Sequence, residues 1–440
     1  MHFRSHNDIN PLSRVDHCAV PLELGAQWIH GEQNNPLFQL CQSLDLISLD
    51  ESDVGDEWAG DFRSQDGSLI PRKTVDYVLQ HLDTIKQEWC SSPVNTSKPD
   101  LPNAASVETI LRDSFSRIVS QTDHARDHDP SLMWAIFEWF LLYERIDNAC
   151  PDLRQLSISA YTGWENCAPG SLINFRNGYS SVIDALVNHL PTGTVRMDHK
   201  VTRIAVTGSG VAVWCKDKVL TARHAIVTVS LGILKAKMIE FEPPLPPLQR
   251  SLINAIGFGT INKIFLRFAR RFWNASSFSL KLVWRSRVPG LPDWVYDVSG
   301  FDTVRGREDM LMGWVGGHGA QKVERESESR IGDVCRKVIS MFTQRDDVPE
   351  AVAVICTKWC SNQFVGGSYS YPTTTSASLG MSEHLFSPVL SSVTTTSSSP
   401  VARQQPLILF AGEHTAQQFY SSAHGALSSG NHPGHGPDAN

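Results

Sequence analysis

At 440 residues the chain is longer than one simple core organises, so two domains are expected. With 41% apolar and 19% charged residues its composition is that of an ordinary globular protein, which excludes a disordered or fibrous chain. A net charge of −7 argues against a nucleic-acid surface and suits a cationic ligand. Nine cysteines without paired spacing argue against a zinc site and fit a reduced, cytoplasmic setting.

The first twenty residues are polar and lack the apolar core of a signal peptide. Residues 21–31 (PLELGAQWIHG) set Gly25, Ala26 and Gly31 around Trp28 and His30, so backbone can approach a flat ligand closely there. A histidine beside a tryptophan is more often a packed core residue, and these residues alone leave that alternative open. Asn35-Pro36 opens a helix whose apolar stripe is Leu37, Leu40, Cys41 and Leu44. Residues 75–89 and 107–119 read as further helices, 93–102 as a loop and 123–129 as a solvated turn. The most apolar stretch, 131–146, is too short for a membrane span and carries Glu138 at its middle, so it reads as a buried helix.

Residues 179–190 form a helix begun by Ser180 and Ser181 and stopped at Pro191. Residues 194–206, 210–215 and 218–221 read as strands of a meander, with 224–230 a second buried strand and 241–247 (FEPPLPP) a rigid connector. In 256–273 Lys263 lies on an alternating strand, Ile264, Leu266 and Phe268 on the opposite face and Phe265 on its own. Most strand lysines snorkel to water, and that reading stands beside a functional one. Residues 293–315 and 351–370 are β-rich, and Tyr369 reads equally well as a buried structural tyrosine. The Ser/Thr-rich stretch 373–399 reads as a flexible surface insert. Leu407 to Ala411 is an unbroken apolar run, the pattern of a strand buried on both faces in a parallel sheet, and it stops at Gly412-Glu413. After a polar loop, residues 421–429 could start a helix close against a ligand at the carboxyl end of that strand.

The segments LFAGEHT…FYSSAHGALSSG, ELGAQWIHGEQNNPLFQL, TVSLGIL, GTINKIFLRF and GGSYSY, taken together, resemble flavin-dependent amine oxidases, and within them the polyamine and spermine oxidases. The resemblance covers roughly residues 20–430 and implies FAD as cofactor. It implies flavin contact by Ala26, Trp28, Ile29, Gly412, Glu413, Ser422 and Ala423, and an adenine contact through the backbone amide of Val201. It also implies that His30 faces the substrate amine, that Lys263 reaches the flavin N5 through a water, and that Tyr369, Trp359 and Tyr420 line the substrate. The activity implied is oxidation of spermine or N1-acetylated polyamines, with O2 as the second substrate, giving an aldehyde, a shortened amine and hydrogen peroxide. No nucleic-acid, membrane or metal partner is expected.

The fold class expected is α/β plus α+β, a doubly wound, Rossmann-like FAD-binding domain beside a substrate domain of mixed sheet and helices. Residues 1–45 are then a partial FAD-binding domain and 46–170 the mainly helical part of the substrate domain. Residues 171–245 return to the FAD-binding domain, 246–370 are substrate-domain sheet and helices, 371–400 a surface loop, and 401–440 the C-terminal FAD-binding segment and tail. The chain departs from the family in having no GxGxxG before residue 21, and HFRSHNDINPLSRVD is at best a worn echo of its GGR segment. That departure predicts a missing central strand, an open sheet edge and no diphosphate site, and it opens a second reading, an inactive remnant that binds rather than oxidises. A third, a histone-demethylase-type flavoprotein, lacks the long charged insertion it would need.

Overall fold

A computed structural model describes residues 21–48, 58–90, 105–121, 125, 127–168, 172–208, 210–273, 278–380, 389–390, 406–416 and 418–431. Its largest sheet has six strands, in the order Ala351–Cys356, Asn262–Phe268, Arg307–Val315, Val298–Val304, Ser279–Val283 and Asp61–Ser64. All neighbours are antiparallel except the last pair, which is parallel. Asn262–Phe268 lies between two partners, so its backbone is paired on both sides. Its side chains alternate as the pattern requires: Ile264, Leu266 and Phe268 enter one core, and Phe265 joins Met310 and Met312 on the other face. The first core is roofed by the helix Glu328–Thr343, whose buried stripe is Ile331, Val334, Cys335, Val338, Ile339 and Phe342. That helix starts at Ser327, whose hydroxyl accepts from the Arg330 amide, and ends at Gln344 in the left-handed region.

A second core joins the helices Arg72–Cys90, Val107–Gln121 and Pro130–Asp147. Asp129 caps the last of these by accepting from the Ser131 amide, with Pro130 in the first turn. Apolar residues all round make it a buried helix, as the sequence predicts. Trp139 ties it to the sheet, its ring edge-on to Phe62 at 4.7 Å and its indole N–H donating to the Ser299 carbonyl at 2.8 Å.

The other half holds a four-stranded sheet, Lys218–Ala222, Gly210–Cys215, Val201–Thr207 and Glu240–Glu242, and a three-stranded one, Val389–Leu390, Pro406–Phe410 and Ala225–Val227. Pro406–Phe410 and Ala225–Val227 run parallel, and Leu407, Ile408 and Phe410 are buried. Two expectations need correction here. The stretch 194–206 is extended only from Val201, because 194–200 turns through Asp198 at φ 58°. The strand expected at 224–230 has three residues and is not buried on both faces, since Ile226 is 53% exposed. Pro406–Phe410 has antiparallel Val389–Leu390 on its other side, and Ala225–Val227 is paired on one side only among the described residues.

Part of the stretch expected as surface loop is ordered packing. Ser370–Tyr371 pairs with Gly257–Phe258, and Thr374–Ser378 is a short helix with a reciprocal Thr373–Ser376 capping box. Residues 381–388 and 391–405 lie outside the described residues, as do residues 1–20 with the GGR-like echo.

Candidate active site

Lys263 is the centre of the site. Its position on a central strand leaves it 2% exposed, and it does not snorkel to water. The Nζ donates to the Glu23 carbonyl at 2.8 Å, the Gly25 carbonyl at 2.9 Å and Gln27 Oε1 at 3.1 Å, and it sits 4.6 Å from the centre of the Trp314 ring. All three ammonium hydrogens are therefore directed at the 21–31 segment. Burial brings the amine down to about 7, with the nearby Glu23 charge pulling it back up. Trp28 stacks on Trp314 at 6.1 Å, so strand and segment meet through two indoles as well as through the amine.

His30 follows on the short strand Ile29–His30, which pairs with Leu172–Ile173. Its ring is open to solvent, yet the atoms crowded around it hold the imidazole below its ordinary value. Gly31 permits the turn that follows: it has φ 70°, and a Cβ there would collide with the Cys167 carbonyl. Asn35, fully buried, locks the turn by donating to the carbonyls of His30 at 2.9 Å and Gly31 at 3.2 Å, while its Oδ1 accepts from the amides of Leu37 and Phe38.

The C-terminal segment closes the site. Glu413 accepts from the Ser370 amide and hydroxyl and from the Ser421 amide, the last two at 2.7 and 2.8 Å, and Ser421 donates its hydroxyl to the Ser370 carbonyl. Burial pushes the Glu413 carboxyl up, against the hydrogen bonds that favour its ionised form. Ser422 caps the helix Ala423–Asn431 by accepting from the Gly425 amide. Gly425 is needed because a Cβ would strike the Phe419 carbonyl. Ala423 and Leu427 pack with Leu37 and Cys41 of the helix Pro36–Ser43, which brings this segment against the His30 turn. His424 is 1% exposed, with no hydrogen-bond partner for its Nε2 among the described residues, and burial, aided by the charge of His30, depresses it to about 4.

The family model for flavin containing amine oxidoreductases matches residues 13–432. The chain belongs to that family. The peroxisomal N(1)-acetyl-spermine/spermidine oxidase of Homo sapiens is 27% identical over 442 residues, covering 93% of this chain and 83% of its own. Polyamine oxidase 2 of Arabidopsis thaliana is 26% identical over 424 residues, covering 93% and 77%. Among solved structures, a cyclohexylamine oxidase from Brevibacterium oxydans superposes with a TM-score of 0.66 over 94% of this chain and 87% of its own, at 17% identity. As a flavin amine oxidase the chain is an FAD enzyme acting on small-molecule amines with O2.

The residues present fit the flavin end of FAD. Gly25 and Ala26 are exposed and small, and His424, whose Nε2 has no partner among the described residues, lies in the first turn of a nine-residue helix. The geometry refines several sequence-predicted roles. Ile29 buries its side chain in the core with Leu37 and Phe175, so only its backbone faces the site. The Glu413 carboxylate is committed to Ser370 and Ser421 and cannot receive a ligand directly. Tyr420 is 6% exposed and its hydroxyl donates to the Ala160 carbonyl at 3.4 Å, which places it behind the wall rather than on it. Tyr369 keeps a partly exposed ring but spends its hydroxyl on the Ile146 carbonyl at 2.8 Å. Trp359 is partly exposed, and a Cβ on Gly25 would lie 3.5 Å from its ring. Gly412 leads into Glu413 with its amide on Ser429 Oγ, and Val201 pairs with Cys215 in the meander.

Sequence reasoning missed Gln27, Trp314, Asn35 as a lock, and the buried Asn262. Asn262 donates to the Ala320 carbonyl and Glu324, and its Oδ1 accepts from Thr357 and from the Trp359 amide. Asn262 and Gln27 stand beside recognised residues, and a polar side chain inside an apolar motif is the signal that marks them.

Proposed function

We propose that the chain oxidises polyamines, with His30 and Lys263 managing the protons of the reacting amine. The observation that carries this reading is the position of Lys263, a buried amine brought down to about 7 and held against the segment that bears His30. The polyamine names of the relatives and the acidic surroundings support it. Lys86 pairs with Glu144 at 2.6 Å, desolvation and the Glu144 charge lift Asp147 to about 6, and the Asp147 and Glu413 charges act on Tyr369. Carboxylates in excess of cations suit a substrate with several ammonium groups.

FAD, when bound, takes the electron pair of the amine's C–H bond and passes it to O2. Ala26, Trp28, the backbone of Ile29 and Gly412, and the Ser422–Ala423 helix start would hold it, with Val201 toward the adenine end. The protein's own part is to deliver an uncharged amine, because an ammonium nitrogen has no lone pair to support oxidation at the neighbouring carbon. His30, held neutral by its depressed pKa, can take the ammonium proton on a ring nitrogen. Lys263 exchanges a proton at Nζ near neutrality, and releasing Gln27 Oε1 frees one donor without moving the backbone. The rings of Trp359 and Tyr369 supply walls that favour a cation or its neutral amine.

The test is to purify chain 1–440, read the flavin absorbance, and measure peroxide release. Bound flavin with peroxide from spermine but not from a methylated histone peptide is the expected result. A colourless protein that still binds spermine would make it the binding remnant instead. His30→Ala should move the acid limb of the pH–rate profile, and an unchanged profile would remove the histidine from proton transfer. A cytoplasmic location belongs with this proposal. No helix among the described residues is long and apolar enough to cross a membrane.

A further inference from the structure

The outer side of the helix Glu328–Thr343 borders a recess of about 390 Å³, closed on its other side by the turn at Gly290 and Leu291. Arg330 and Lys337 stand two helical turns apart on its rim, with Asp333 between them and Arg336 on its wall. Three cations therefore face one carboxylate, in a chain whose net charge is −7. Among the described residues the side chains of Arg330, Asp333, Arg336 and Lys337 make no hydrogen bond or ion pair, and Arg336 Nε is buried with no acceptor. The surroundings show that this is not the local habit: Asp293, three residues beyond Gly290, binds both Arg287 at 2.8 Å and Lys322 at 3.0 Å.

We infer that this recess is a binding site for a small soluble anion bearing two or more phosphate groups, separate from the amine-oxidising centre. A buried donor without an acceptor calls for an anionic partner, and guanidinium groups take phosphate oxygens in pairs. The volume falls in the range of small-molecule sites and leaves room for more than one phosphate group, and cations two helical turns apart can each engage one. A concave wall set on a rigid helix favours a free ligand over a flat lipid surface.

The test is calorimetric titration of the full chain with sodium tripolyphosphate at low ionic strength, with parallel sedimentation against phosphatidylcholine vesicles with and without phosphoinositide. Saturable binding of tripolyphosphate that weakens as salt rises is expected. Arg330→Ala and Lys337→Ala, both solvent-facing changes, should each weaken it about tenfold. Asp333→Asn should tighten it, because the carboxylate between the cations on the recess wall is removed. Oxidation of spermine should be unchanged in all three variants. Absence of binding heat, wild-type affinity in Lys337→Ala, or sedimentation with phosphoinositide vesicles without tripolyphosphate binding would each overturn the assignment.

Discussion

The two halves of the molecule hold their central strands in different ways. Asn262–Phe268 is flanked by two long antiparallel partners, has a core on each face, and hides even a lysine. The parallel pair Ala225–Val227 and Pro406–Phe410 is short, and Ile226 on its outer face is 53% exposed. A strand closed on every side fixes a side chain in space without help from a ligand. A three-residue strand with a bare face takes much less of its order from local packing. The six-stranded half therefore fixes its side chains by its own packing, and the half with the short parallel pair does so much less.

This contrast can be broken most sharply at Lys263. Lys263→Met keeps length and apolar bulk, so flavin content should change little while flavin reduction slows about 10²–10⁴-fold in stopped-flow single turnovers. An unchanged single-turnover rate would reduce the amine to a strut between strand and loop. Next in size, Ile264→Ala should cost about 2–5 kcal/mol in denaturant unfolding, because the surrounding sheet and helix cannot collapse into the space. A third test uses pH. His414 and His424 are both depressed to about 4 from an ordinary 6.5, so between those values the unfolded chain binds protons that the folded one refuses. Stability should be complete above pH 6.5 and fall as the pH drops toward 4, read as a declining urea midpoint. His424→Gln should flatten part of that slope, and an identical slope would mean that its ring is not shielded. The smallest effect is expected at the bare strand, where Ile226→Ser should shift stability by no more than about 0.5 kcal/mol. A large loss there would show that a further layer covers this face.

How far the site was legible follows the same division. Lys263 and its face partners could be read from alternation, because a period of two leaves one choice of side once the apolar set is known. The Asn35 cap was legible from an Asn-Pro pair, but its second task, gripping the His30 turn, depends on a carbonyl five residues back that no pattern announces. The family motifs assign His30, Glu413 and Ser422 to one site, and the helix Ala423–Asn431 packs against the helix Pro36–Ser43 that follows the His30 turn. They did not reveal that Glu413 is fully occupied by Ser370 and Ser421, since hydrogen bonds across 43 positions leave no local mark. The stretch at 371–380 misled through composition: Ser and Thr usually signal solvent, yet Ser376 is fully buried because its hydroxyl serves a cap. Ile226 misled in the opposite sense, as an apolar residue in a run that resembles a core strand.

Asn262 and Lys263 are neighbours, and the amide of one holds the Trp359 backbone while the amine of the other holds the loop at Glu23 and Gly25. The Trp359 backbone and the buried amine thus hang from a single rigid rail. A change of substrate preference in this lineage cannot come from sliding one against the other. Because Gln27 is one of the three acceptors of the buried amine, an exchange there leaves a donor unpaired, and the 21–31 segment and the strand have to change together.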